Sequence, residues 1–101
     1  MNEIVVQLWD ASKRNKVCRI NLLGEPFPRI VSPYGVCKTA SNKIVLVCGQ
    51  LAGYTKMGGG IGYRSLLLNK IREVEILNKS FRKPSDFNPT DEQYQEWVYH
   101  I

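Results

Sequence analysis

The sequence is poor in the residues from which catalytic and metal centres are usually built. It has one histidine, His100, and three cysteines, Cys18, Cys37 and Cys48, without Cys-x-x-Cys spacing. This pattern argues against a disulfide framework and against a zinc site. The glycine-rich segment 53–62 carries no Gly-Lys-Ser or Gly-Lys-Thr, so a phosphate-binding P-loop is not indicated. We therefore expect a protein that is not an enzyme, has no metal or cofactor, and keeps three buried, free thiols.

Long apolar runs are absent as well. No stretch approaches the roughly 18 apolar residues that a membrane-spanning helix needs. The first residues, Met-Asn-Glu-Ile-Val-Val-Gln, lack the basic start and long apolar core of a signal peptide. We expect a cytoplasmic protein with no membrane partner. A length of 101 residues with 44% hydrophobic and 23% charged residues predicts one folded domain, 1–101.

Positive charge is concentrated in the middle of the chain. All 14 lysines and arginines lie within residues 13–83, together with three acidic residues, which gives this segment a net charge of +11. Residues 1–12 carry −2 and residues 84–101 carry −4. A basic centre between acidic ends favours an anionic partner, including nucleic acid, although solubility alone also accounts for a basic domain.

Helical patterns occur at both ends. Asn2 can cap a helix over 2–15, in which Ile4, Val5, Leu8 and Trp9 share one face. The sequence Thr90-x-x-Gln93 has the form of a capping box. The apolar residues after it have i, i+3, i+4, i+7 spacing, which predicts a second helix over 90–100; they are Tyr94, Trp97, Val98 and Ile101.

Strand patterns fill the middle. Apolar and polar residues alternate over 17–23, and a continuous apolar run over 44–48 predicts a strand covered on both faces. Shorter strands are indicated at 29–31, ended by Pro33, at 63–68 and around 74–77. The prediction is a mainly β (α+β) fold: a five-stranded, SH3-like antiparallel barrel over 17–81, flanked by the two helices.

The order of several residues resembles a known family. The features are a turn glycine, an Arg ahead of a Pro, an Arg that opens a strand, a Leu-Asn-Lys-Ile-x-x-Val corner and a closing Phe: Gly24, Arg29, Pro33, Arg64, 68–74 and Phe81. In this order the chain resembles the WYL domain family, an SH3-like (Sm-like) barrel of bacterial regulators, and most of all its short, stand-alone members. Where the family has Trp-Tyr-Leu, this chain has Ile-Val-Leu at 44–46, and Lys70 stands where the family usually has Arg.

The resemblance implies a sensor in transcription regulation. WYL domains bind nucleotide-like ligands or single-stranded nucleic acid on a basic, tyrosine-bearing surface. The corresponding ligand-binding candidates here are Arg29, Tyr34, Gln50, Tyr54, Lys56, Tyr63, Arg64 and Lys70. For each arginine the alternative is a structural salt bridge, and for each tyrosine it is core packing. The alternative function is a protein-interaction or oligomerisation module, with a protein partner or a homo-oligomer and no other ligand.

Overall fold

The computed structural model describes residues 2–56 and 62–101. Part of the glycine-rich loop predicted at 53–62 therefore lies outside the described residues. Within them, the chain forms one α-helix, a 3-10 turn and six strands. In chain order these are α1 (Glu3–Lys13), β1 (Lys16–Leu22), β2 (Arg29–Thr39), β3 (Ile44–Gly53), β4 (Gly62–Leu67), the 3-10 turn Leu68–Lys70, β5 (Ile71–Ser80) and β6 (Tyr94–His100).

All six strands belong to one antiparallel sheet. Its strand order is β4-β3-β2-β1-β5, and β6 pairs with the second half of β2. β4 and β5 stand at opposite ends of this order, and no ladder joins them in the part of the chain that is described. The mainly β class is confirmed, but the prediction of a closed five-stranded barrel is wrong: the sheet is open and has a sixth strand.

The predicted C-terminal helix over 90–100 is also wrong. Asn88 Oδ1 accepts hydrogen bonds from Thr90 N and Thr90 Oγ1, and Asp91 Oδ1 accepts one from Gln93 N, so the capping-box residues form polar turns. β6 follows these turns. Its aromatic and β-branched residues suit a strand.

The helix-like spacing in β6 has a specific cause. The register of β6 against β2 shifts twice, once on each side of the Cys37–Trp97 pair. Each β-bulge inserts one residue and changes which face the next side chain takes. As a result Tyr94 and Trp97, three residues apart, pack against the same cluster, and Val98 is turned outward with 49% of its surface exposed. Ile101, just beyond the end of β6, packs against that cluster as well. A strand with two bulges thus reproduces the three-residue spacing of a helix.

The sheet separates two apolar clusters. On β3, Leu46 and Cys48 face one cluster and Val45 and Val47 face the other. This alternation confirms that both faces of β3 are covered. The first cluster also contains Leu8 of α1 and residues of β1, β2 and β5, so α1 packs across that face of the sheet. The second cluster is aromatic and includes side chains of β2 and β6.

The N-terminal helix forms for the reasons that the sequence indicates. Asn2 Oδ1 accepts a hydrogen bond from Ile4 N at 2.7 Å, and Glu3 occupies the first turn. Val5, Leu8 and Ala11 are its buried apolar residues. In the described residues, no helix has the length and apolar character to cross a membrane.

β2 is longer than the sequence predicts. Pro33 does not end the strand, because a register shift between Pro33 and Gly35 absorbs the residue that cannot donate to the ladder. Gly35 is needed there, since a Cβ would lie 2.6 Å from the Trp97 ring and 2.6 Å from Tyr99 O. The strand continues to Thr39, and its second half provides the edge on which β6 pairs.

Candidate functional site

Arg29 lies in a buried ion pair rather than on an open surface. Its Nε and Nη2 each donate to a carboxylate oxygen of Glu25 at 2.8 Å. Its Nη1 donates to Gln50 Oε1 at 3.0 Å. The side chains of Arg29 and Glu25 are only 7% and 4% exposed. The guanidinium is thus held by neighbouring side chains of the protein.

Besides Arg29, four of the predicted residues lie near this ion pair: Gln50, Tyr54, Lys56 and Lys70. Gln50 Nε2 donates to Tyr54 O at 2.8 Å, and the Tyr54 ring centroid lies 5.8 Å from Arg29 Cζ. Hydrogen bonds from Arg29, and then the positive charges of Arg29, Lys56 and Lys70, hold the pKa of Glu25 below its usual value. This network links the turn between β1 and β2 to the end of β3. Its charged groups therefore stabilise the fold.

The remaining predicted residues form a second group around Tyr63. The ring of Tyr34 packs edge-on against that of Tyr63, with centroids 5.8 Å apart, and Tyr34 is buried. Tyr63 Oη donates to Asp86 Oδ1 at 2.6 Å. Desolvation and this hydrogen bond raise the pKa of Tyr63, so its hydroxyl remains a neutral donor. Tyr34 thus packs in the core, whereas Tyr63 borders solvent.

Two small clefts adjoin Tyr63. One of about 210 Å³ is lined by Tyr34, Gln50, Tyr63 and Asp86 among others. The other, of about 290 Å³, brings Arg64 together with two carboxylates, those of Asp86 and Asp91. Arg64 Nη1 also donates to Tyr63 O at 2.9 Å. Because carboxylates outnumber the cation in the larger cleft, the charge at the predicted tyrosine surface does not favour an anion.

Positively charged residues come together elsewhere, at a place that local sequence patterns do not indicate. The end of α1 and start of β1 lie beside the end of β5: Lys16 pairs with Ser80, and Phe81 N donates to Asn15 O at 2.9 Å. We call the six cations of these two segments the basic corner: Lys13, Arg14, Lys16, Lys79, Arg82 and Lys83. Within segments 10–16 and 79–83 the only acidic residue is Asp10, which pairs with Arg14 at 3.1 Å.

A cleft of about 330 Å³ opens at the basic corner. The residues that line it include two lysines and two aromatic residues: Lys13, Lys83, Trp9 and Tyr99. No aspartate or glutamate is among the described residues that line it, and His100 and the last residue, Ile101, complete one side. We call it the Trp9 cleft.

Ring stacking and hydrogen bonds hold the two rings of the Trp9 cleft in place. Trp9 and Tyr99 are stacked, with centroids 5.7 Å apart and planes inclined by 11°. Ser12 Oγ donates to Pro33 O at 2.9 Å, so its lone pairs are available to Tyr99 Oη, 3.1 Å away. Burial raises the pKa of Tyr99, which remains a neutral donor. Tyr99 is buried, whereas Trp9 is 39% exposed.

The signal for the basic corner is visible in the sequence only as two separate runs. Lysines and arginines cluster at 13–16 and again at 79–83, and no local pattern joins segments so far apart. Their contact follows from the pairing of β1 with β5. Tyr99 contacts Trp9 because the last segment is a strand. The sequence predicts a helix there, so it does not predict this contact.

Comparison with known proteins gives no relative. No family model, curated protein or solved structure matches this chain. The WYL resemblance therefore remains a prediction. In the part of the chain that is described, no group of three or more His, Cys, Asp or Glu side chains is arranged to hold a metal ion.

Proposed function

We propose that this chain is a non-enzymatic regulatory or sensor module that binds an anionic ligand, either a nucleotide-like molecule or single-stranded nucleic acid. The observation that carries the proposal is the convergence of six cations at the basic corner. The proposed site thus differs from the predicted tyrosine surface, where Arg64 lies beside two carboxylates.

The two segments that form the basic corner are strongly positive. Residues 10–16 and 79–83 carry six cations and one carboxylate, and five of the six cationic side chains are exposed to solvent. Exposed lysine and arginine side chains bind phosphates by releasing condensed counterions, which makes the affinity fall steeply as salt rises. A phosphate-bearing ligand is therefore the class that this surface favours most.

The test is fluorescence polarisation of a labelled, mixed-sequence single-stranded oligonucleotide. Native protein is compared with Lys83→Glu and with the matched control Lys43→Glu, which makes the same charge change in the β2–β3 turn. We expect Lys83→Glu to weaken binding tenfold or more, about 1.4 kcal/mol. We expect Lys43→Glu to change it by less than about threefold, since a distant exposed charge is screened.

Salt dependence gives a second readout. Single strands lose roughly 0.7 in the slope of log affinity against log salt for each phosphate contact removed, so the slope should be shallower for Lys83→Glu. Arg64→Ala, which alters the predicted tyrosine surface, should bind like the native protein. Equal losses in Lys83→Glu and Lys43→Glu would show a net-charge effect, and absence of binding by the native protein at low salt would refute the proposal.

A second candidate function rests on a different observation. The turn between β1 and β2 exposes Leu23 by 57% and Phe27 by 67%, and the buried Arg29–Glu25 pair holds this turn in place. Rigid, exposed apolar side chains favour a protein interface, which is the alternative of a protein-interaction or oligomerisation module. Light scattering would test self-association: a dimer in the native protein that dissociates in Phe27→Ser supports it, and a monomer at high concentration contradicts it.

A further inference from the structure

We propose that the Trp9 cleft is a stacking subsite for an unpaired nucleobase, with the adjoining phosphate held between Lys13 and Lys83. This inference rests on the proposed function, because it assumes that the basic corner binds a phosphate-bearing ligand. It goes further in selecting one ligand: single-stranded nucleic acid, in preference to duplex or to a polyanion without bases.

The Trp9 ring is partly exposed on a fixed support, which is the first feature that favours a stacked base. The indole stacks on Tyr99, yet 39% of the residue is exposed, whereas Tyr99 is only 8% exposed. The residue that supports the indole is itself held, since its hydroxyl reaches Ser12, which is bonded to Pro33 O. An exposed ring on a rigid support loses little conformational freedom when a planar ligand stacks on it.

The cations at that ring are the second feature that favours a nucleotide. Lys13, one helical turn after Trp9 on α1, has its Nζ over the Trp9 ring, 5.5 Å from the centroid. Because this exposed side chain is flexible, its ammonium can leave the ring face to a stacked base and bind the adjoining phosphate. Lys83 enters the same cleft from the segment after β5. Both lysines are exposed on flexible side chains, so each can reach a phosphate next to a base on the ring.

The volume of the Trp9 cleft is the third feature. A cleft of about 330 Å³ is at the lower end of the range for small-ligand sites, roughly 300–1,000 Å³. It suits a single nucleotide unit. The other four cations of the basic corner lie outside the cleft, where the backbone of a longer strand would continue. Paired bases in a duplex present only their edges and cannot stack on Trp9, which is why a single strand is selected.

The experiment compares three probes: a single-stranded oligonucleotide, its duplex, and inorganic polyphosphate as a polyanion without bases. Binding is followed by tryptophan fluorescence, because a base stacked on Trp9 quenches the indole. We expect the single strand to quench the native protein saturably. We expect polyphosphate to displace a labelled strand without quenching.

The variants are Trp9→Leu, which removes the ring, and Trp9→Phe, which keeps a smaller one. Base–aromatic stacking contributes about 1–3 kcal/mol per base, so Trp9→Leu should weaken single-strand binding by roughly fivefold or more. Trp9→Phe should recover part of the loss. Both variants should bind polyphosphate like the native protein, which shows that they are folded and that the basic corner is intact.

The outcomes separate the two proposals. Suppose that the native protein binds both the single strand and polyphosphate. The stacking subsite is then refuted if Trp9→Leu binds the strand as tightly as the native protein does, or if duplex binds as well as single strand. In either case the proposed function stands. If the native protein binds neither probe at low salt, the proposed function itself fails. Loss of single-strand affinity and quenching in Trp9→Leu, with polyphosphate binding retained, supports both.

Discussion

Replacement of Arg29 by methionine tests how the buried ion pair contributes to stability. Methionine keeps an unbranched apolar stem but removes the guanidinium, and with it the charge and all three hydrogen bonds, two to Glu25 and one to Gln50. The Glu25 carboxylate, 4% exposed, would then be left buried without its partner. Breaking a buried pair in this way costs about 3–5 kcal/mol. For a small domain whose total stability is about 5–15 kcal/mol, this loss is a large fraction of the whole.

The chain contains a matched control. Arg19 pairs with Glu75 across β1 and β5, but these side chains are 43% and 61% exposed. An exposed pair contributes about 0–1 kcal/mol, so Arg19→Met should reduce the free energy of unfolding by no more than that. Urea unfolding of both variants, followed by circular dichroism, measures the difference. An equal loss of unfolding free energy in Arg29→Met and Arg19→Met would refute the claim that burial decides the strength of these pairs.

The pH dependence of the same variants gives a second check. The folded-state pKa of Glu25 lies below its usual value of 4.5, chiefly because of the hydrogen bonds from Arg29. The stability that the pair provides is therefore fully present above pH 4.5 and is lost as the pH falls through the folded-state pKa. The gap in stability between native protein and Arg29→Met should be constant near neutral pH and narrow in acid. A gap that widens in acid would mean that the carboxylate is not the group involved.

Two further predictions concern packing. In Gly49→Ala the new Cβ would stand 2.3 Å from Tyr34 Oη, so the buried ring must shift; we expect a loss of about 1–3 kcal/mol in urea unfolding, and unchanged stability would show that Tyr34 has room to move. Burial raises the pKa of Cys18 and of Cys48 to about 12 each and also raises that of Cys37. Native protein at pH 8 should therefore not react with Ellman's reagent, whereas protein unfolded in urea should show three reactive thiols. Rapid labelling of the native protein would contradict this.

Local patterns predicted the parts of the fold that depend on local interactions. The Asn2 cap, the apolar face of α1, the alternation in β1 and the two-sided burial of β3 are each set by a few neighbouring residues. β6 was missed because its two bulges depend on the register of its pairing with β2, and they give a strand the spacing of a helix. Whether a sheet closes into a barrel or stays open, as it does here, is likewise a property of the whole sheet.

The candidate site shows the same division. The sequence shows that the middle of the chain is basic, but not which cations are available to a ligand. Arg29 is bound to a glutamate only four residues away. Arg64 shares its cleft with acidic residues from a later segment. The basic corner depends on contacts between segments about 65 residues apart in sequence, and a single sequence does not reveal which distant segments meet.

The second strand has a consequence for how the molecule unfolds. β2 pairs with β3 on one edge, and on the other with β1 and then β6. It also contributes Val31 and Val36 to the first cluster, and Tyr34 and Cys37 to the second. We therefore expect the two clusters to open together, in a single cooperative transition in which the amides of β2 are the last to exchange with solvent. A substitution in the second cluster that unfolds part of the population would then disassemble the basic corner in the same molecules, without altering any of its cations.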